Sequence, residues 1–200
     1  MIAGVPAPTL AALGAYLLFL IGHRLFELVL SARNERALRE RGGREVGRAH
    51  FPLFIVLHTL YPIALAAEVL GLGARPGGAW PLWLALLAAA QGLRFAAHRA
   101  LGGLWTARVW VVPGLSPVRR GPYRWFRHPG YLAVTIELAT GALLFGAWRT
   151  ALAASALNLV ALAIRIPVEE RALAEVASPG GVGGLSTSSP RPLAPQGRPR

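Results

Sequence analysis

The sequence has no cysteine, no lysine and no aspartate among its 200 residues. The first absence excludes disulfides, thiolate nucleophiles and CxxC metal sites. The other two are a matter of composition: all 21 Lys+Arg residues are arginine and all nine acids are glutamate, so the choice of arginine over lysine carries no functional information. Long polar runs are also scarce. At 54% hydrophobic residues and a mean hydropathy of +0.46, the chain is too apolar for an ordinary soluble domain, whose apolar fraction is about 45–50%. It reads as an integral membrane protein. The net charge of +12 is spread between apolar runs instead of along one amphipathic face or nucleic-acid motif. It speaks for membrane topology and contact with anionic lipid head groups, and no nucleic-acid partner is expected.

Five runs are apolar enough to be spans: Pro8–Leu30, Phe51–Leu72, Ala79–Arg99, Gly130–Gly146 and Arg149–Pro167. The expected fold is all-α, an integral membrane bundle of about five transmembrane helices ending in a short helical hairpin, each arm about 25 Å long at ~1.5 Å per residue. The first run has no basic stretch before it, and its first cations, His23 and Arg24, come near its end, so it reads as a reverse-oriented anchor and not a cleaved signal. Residues 31–50 carry six arginines and residues 100–128 carry five. The positive-inside rule then places the N-terminus outside and both basic segments, with the C-terminus, in the cytoplasm of a bacterial cell. Residues 1–176 form the expected membrane domain. Residues 177–200, rich in Pro, Gly, Ser and Arg, form an expected disordered tail.

Two stretches bear chemistry. In "RHPGY", Pro129 biases His128 away from helical geometry and suits the first turn of a helix, which puts His128 at the mouth of the fourth span beside free N–H groups. In "RIPVEERAL", Arg165 and Glu169 are four apart and suited to pair across one helical turn, whereas Glu170 has no such partner. A hairpin between the two stretches returns the carboxylates to the surface that holds His128. Polar residues within the spans are His58, Glu68, Gln91, His98, Glu137 and Asn158. His58 and Asn158 read as helix-joining groups and Glu68 as lying near an external end; His98 and Glu137 are the candidates for catalysis. Thr106–Val112 alternates like a strand, and a lone strand cannot satisfy its backbone within lipid, so it reads as an extended cytoplasmic lid or hairpin over the pocket.

"GPYRWFRHPGYL", an apolar hairpin and then "RIPVEERAL" together resemble the C-terminal half of the isoprenylcysteine carboxyl methyltransferase family of integral membrane enzymes. The upstream "RLFELVLSARNERALRERGGREVGRAHFP", "AQGLRF" and "LGGLWTARVWVVPG" look like a bacterial subgroup that accompanies type III polyketide synthases and O-methylates alkylpyrones or alkylresorcinols. The resemblance spans Arg24 to Leu173 and implies an O-methyltransferase that binds S-adenosyl-L-methionine and takes a lipophilic acceptor from the bilayer. It also implies that His128, Pro129 and Tyr131 line the cofactor pocket with Arg127 in support, and that Glu169 and Glu170 hold cofactor hydroxyl or amino groups or shape the pocket through Arg165. Gly130 stands where a larger or amide residue is common, and Phe51 where tyrosine is common.

A carboxylate or an acidic hydroxypyrone is already ionised near neutral pH, whereas a resorcinol hydroxyl, with a pKa of about 10, needs a base; His98 and Glu137 both qualify. Two other readings fit the same composition: an NADPH-dependent reductase on a related scaffold, and a non-enzymatic membrane scaffold or transporter. No metal site is expected. The composition of the tail generates a prediction of its own. A chain ending at Val176 is expected to match the full chain in cofactor binding and thermal stability in detergent, because residues beyond it cannot bury a core.

Overall fold

The computed structural model describes residues 4–177, so the expected tail lies, beyond Ala177, outside the described residues. Five helices make up the fold: α1 (Ala7–Glu40), α2 (Phe51–Gly71), α3 (Trp80–Leu101), α4 (Pro129–Leu143) and α5 (Trp148–Ala177). The first four each carry a proline in their first turn, where no N–H partner is lost. The protein is a membrane helical bundle. Large apolar side chains face outward, among them Leu18, Val29, Ile63, Phe95 and Leu152, while Glu27, Arg94, Glu137 and Asn158 are buried. That is the arrangement a lipid solvent selects, since a charge is tolerated at membrane depth only when it faces the protein interior.

Helix lengths differ from expectation. By length and apolarity α1, residues 48–71 and α5 are each fit to cross a membrane; α3 carries Arg94, His98 and Arg99, and α4 has only 15 residues, about 22 Å at ~1.5 Å each. The final hairpin is therefore short in its first arm alone. Its second arm has 30 residues and runs through Pro167, so Glu169 and Glu170 stand on a continuation of the helix. Likewise α1 does not stop near Leu30 but continues to Glu40. The extension has work to do: Asn34 donates to the carbonyl of Trp105 (2.7 Å), and Ser31 accepts from the N–H of Ala107 (2.9 Å).

The strand-like segment is not alone either. β2 (Val109–Val111) pairs antiparallel with β1 (Arg44–Val46), with Glu45 opposite Trp110, so the two arginine-rich connections form one ribbon. Arg108 ties it down, 3.6 Å from Glu35 and 3.7 Å from Glu45.

The bundle has a closed half and an open half. In the closed half, Leu13, Tyr16 and Leu20 of α1 pack with Leu57, Tyr61 and Leu65 of α2, Leu87 of α3 and Leu138 of α4. Glu68, expected near an external end, is buried there and accepts from the N–H groups of Arg149 (3.1 Å) and Thr150 (2.7 Å), a carboxylate at the positive end of α5. Arg75 donates to the carbonyls of Val69 (3.1 Å) and Gly4 (2.9 Å). The α4–α5 turn fits beneath it only because Gly146 has no side chain: its φ is +70°, and a Cβ would stand 2.0 Å from the Arg75 carbonyl oxygen. Gly146→Ala is therefore expected to cost more than about 2 kcal/mol, measured as a fall in the thermal midpoint of the detergent-solubilised protein.

Candidate active site

The open half holds two adjoining cavities. The inner one, about 290 Å³, lies among all five helices, with Leu28, Phe54, Ile55, Val134 and Leu162 as apolar walls and Arg24, Glu27, His58, Arg94 and His98 as polar lining. Leu28 of α1 and Ile55 of α2 also face outward, more than half exposed. Leu28 and Ile55 thus belong both to the cavity lining and to the exposed outer surface of α1 and α2.

The outer cavity, about 220 Å³, lies under the ribbon at the arginine-rich end, lined by Trp105, Trp110, Tyr123, His128, Tyr131 and Glu169. Trp105, Thr106, Tyr131 and Arg165 belong to both linings and form the wall between them. That wall is held from three sides. Arg165 donates through Nε to the Tyr131 hydroxyl (2.7 Å) and through a terminal nitrogen to the Ala107 carbonyl (2.7 Å), and its guanidinium lies 4.9 Å from the Phe54 ring centre and 5.4 Å from that of Tyr131. The Tyr131 hydroxyl in turn donates to Glu169. Arg165 and Glu169 thus do not pair along their own helix, as their spacing suggested; Tyr131 from α4 intervenes.

His128 and Glu170 meet, with Nε2 3.2 Å from Oε1, and Arg127 approaches the same carboxylate at 3.3 Å. The two adjacent carboxylates face different spaces. Glu169 lines the outer cavity, while Glu170 lines a neighbouring groove with Arg119, Trp125 and Phe126, and Arg127 and His128 border both. Pro129, expected to line the cofactor pocket, is buried at the start of α4 and is not among the residues lining either cavity. Its part is to begin the helix that presents His128 and Tyr131. Tyr123, in the turn before α4, has its hydroxyl pKa pushed up by burial and by the charge of Glu169, so it remains a protonated donor. Asn158 donates to the Thr135 hydroxyl (2.9 Å), joining α5 to α4 as its sequence position suggested.

The structure separates the two candidate bases. His98 lines the inner cavity. Glu137, 1% exposed, is bonded to Arg94 with Arg24 at 3.7 Å and is not among the residues lining either cavity. Sequence reading passed over the centre of this cluster. Arg94 of α3 donates from Nε to Glu27 Oε1 (2.7 Å) and from a terminal nitrogen to Glu27 Oε2 (2.6 Å), and its remaining nitrogen reaches Glu137. Arg24 adds a bond to Glu27 at 2.9 Å. The signal available in the sequence was an arginine in the middle of "AAAQGLRFAAH", where an uncompensated charge would be costly.

The fold is a membrane helical bundle with a polar, aromatic cavity at one end and a second cavity with more apolar walls beneath it. The Isoprenylcysteine carboxyl methyltransferase (ICMT) family matches residues 83–175, which include α4, most of α3 and α5, and the wall residues between the cavities. The "Uncharacterized protein YpbQ" of Bacillus subtilis (strain 168) is 36% identical over 156 residues, 78% of this chain and 93% of the relative. An "Uncharacterized protein" of Haemophilus influenzae is 28% identical over 154 residues, 76% of this chain and 90% of the relative. No solved structure matches. The chain belongs to the ICMT family of membrane methyltransferases.

The geometry ranks the ion pairs by consequence. Arg94→Met leaves two buried carboxylates facing each other and is expected to cost about 3–5 kcal/mol, whereas Arg44→Gln, which breaks an exposed pair with Glu175, is expected to change thermal stability in detergent very little.

Proposed function

We propose that this protein transfers a methyl group from S-adenosyl-L-methionine to an oxygen of a lipophilic acceptor. The donor occupies the outer cavity and the acceptor the inner one. The observation that carries the reading is their shared wall of Trp105, Thr106, Tyr131 and Arg165. In-line displacement requires donor and acceptor to face each other at contact distance, and only that wall touches both spaces.

The residues of the outer cavity suit this donor. Trp105, Trp110, Tyr123 and Tyr131 offer aromatic faces to a cation. Glu169 offers a carboxylate to hydroxyl or ammonium groups. The indole N–H of Trp110, buried in the same lining, has no hydrogen-bond partner among the described residues, and a ligand oxygen would satisfy it. His128, Glu170 and Arg127 close the rim. When bound, S-adenosylmethionine supplies an electrophilic methyl group on a sulfonium. The chain positions the partners and keeps water from the inner cavity with apolar side chains from α1, α2, α4 and α5. The acceptor enters between α1 and α2, and its class is an amphiphile bearing a carboxylate, enol or phenol, such as an isoprenylcysteine, alkylpyrone or alkylresorcinol; a type III polyketide synthase is the kind of enzyme that makes the latter two. By the positive-inside rule the arginine-rich end faces the cytoplasm of a bacterial cell and the Glu68 end faces outward.

Binding of labelled S-adenosylmethionine to the detergent-solubilised protein tests this directly. Binding of labelled NADPH in its place would favour a reductase, and binding of neither a scaffold. Glu169→Gln, His128→Ala and Glu170→Gln are each expected to weaken S-adenosylmethionine binding by about 1.5–3 kcal/mol, at least tenfold in Kd. Because His128 and Glu170 are in contact, their double mutant should lose less than the sum. Unchanged affinity in three well-folded variants would remove the donor from this cavity.

A further inference from the structure

The groove beside the outer cavity, about 670 Å³, is larger than either cavity. Donor and acceptor occupy the cavities, so most of the groove's lining has no task in that reading. Three arginines line it, Arg119, Arg124 and Arg127, against one carboxylate, Glu170. That carboxylate is already engaged, with Arg127 at 3.3 Å and His128 at 3.2 Å. Arg119 and Arg124 are exposed, and neither reaches a carboxylate among the described residues. Arg124 instead lies over the Trp125 ring, 5.6 Å from its centre. Two guanidinium charges are therefore left over in one place.

Unpaired arginines in water are ordinary, but these two are set among apolar groups. Trp125 is 74% exposed and Phe126 47%, and Pro117, Val118 and Leu173 continue the lining. Exposed rings beside cations, at the end of a membrane bundle, suit the level at which head groups give way to hydrocarbon. The apolar surface goes on from there: Leu132, in the first turn of α4, and Ile164, on the stretch of α5 that leads to Glu170, are both exposed. An acidic protein segment would meet the cations and leave this apolar surface unmatched. A phosphodiester with acyl chains attached meets both. A head group that carries its own ammonium would bring a further cation to a place that already has two in excess.

We propose that this groove is a binding site for a phospholipid of net negative charge, with its phosphodiester held by Arg119 and Arg124, its glycerol backbone against Trp125 and Phe126, and its chains on the outer surface of α4 and α5. The site does not rest on the methyltransferase reading, and its test uses no methyl donor.

The full chain, freed of lipid in detergent, is titrated with phosphatidylglycerol, and bound lipid is counted by native mass spectrometry. One phosphatidylglycerol is expected to bind more tightly than phosphatidylcholine of the same chains. Arg119→Gln/Arg124→Gln should weaken it about thirtyfold. Arg33→Gln/Arg36→Gln removes the same charge from exposed positions on α1 that line neither the groove nor a cavity, and should leave the affinity as it was. Trp125→Ala, which alters no charge, should weaken binding several-fold. All four arginines are exposed, so both double variants are expected to keep the wild-type thermal midpoint in the absence of lipid. Equal losses in the two double variants would make the attraction a diffuse surface field and overturn the site. Equal affinity for phosphatidylcholine also overturns it, as does equally tight binding of water-soluble glycerophosphoglycerol, which would make the groove a site for a free phosphodiester. No binding of phosphatidylglycerol at all overturns it in favour of an acidic protein partner.

Discussion

Arg94 is a cation placed at membrane depth, and much of the bundle is arranged so that it can stay there. Each of its three nitrogens donates to a carboxylate on another helix, two to Glu27 of α1 and one to Glu137 of α4. No water is available in the hydrocarbon region to take over if either partner is lost. The constraint also explains how α1 is held. That helix packs loosely against α2, and the reach of Arg24 and Glu27 connects it to α3 and α4 where backbone contact does not. The ion cluster marks the boundary between the halves of the molecule. On one side Leu13, Tyr16, Leu65 and Leu138 close an apolar core; on the other the helices part around a cavity.

Beyond the ion cluster the helices part around the inner cavity, whose lining includes Leu28 and Ile55, both also exposed on the outer surface. The opposite, polar approach is built by the connections. Asn34 and Ser31 on the extended α1 hold residues 105–107 in place, the β1–β2 ribbon covers them, and Arg165 anchors the same segment from α5. The two cavities thus meet at one wall, the inner one enclosed by the helices and the outer one covered by the connections.

Much of the polar end was legible in the primary structure because its determinants are local. Proline after His128 sets the start of α4, a short apolar hairpin follows, and the chain has no choice but to bring Glu169 and Glu170 back to the level of His128. The hairpin explains why His128 and Glu170 come to the same end of the bundle; their 3.2 Å contact is set by how α4 and α5 pack. The pairing of Arg165 was misread for an equally clear reason. Spacing of four residues permits a pair along one helix, but it cannot show that Tyr131 of α4 lies between the partners. The ribbon was half visible, since Val109–Val111 alternates like a strand while its partner, Arg44–Val46, is three residues in an arginine-rich stretch.

Composition and order along the chain determined that this is a membrane protein of five helices, that its arginines gather at one end, and that His128, Tyr131, Glu169 and Glu170 share a surface, because hydropathy, proline and segment length act within a few turns of the residues that carry them. Only the tertiary structure decided that Glu27, Arg94, Glu137 and His98 form one cluster beneath that surface and that two cavities meet at Tyr131 and Arg165. In a soluble helix the buried face is marked by apolar periodicity; in lipid the outward face is apolar as well. The order of helices around the bundle therefore leaves no periodic trace, and which buried charges meet is settled only when the helices pack.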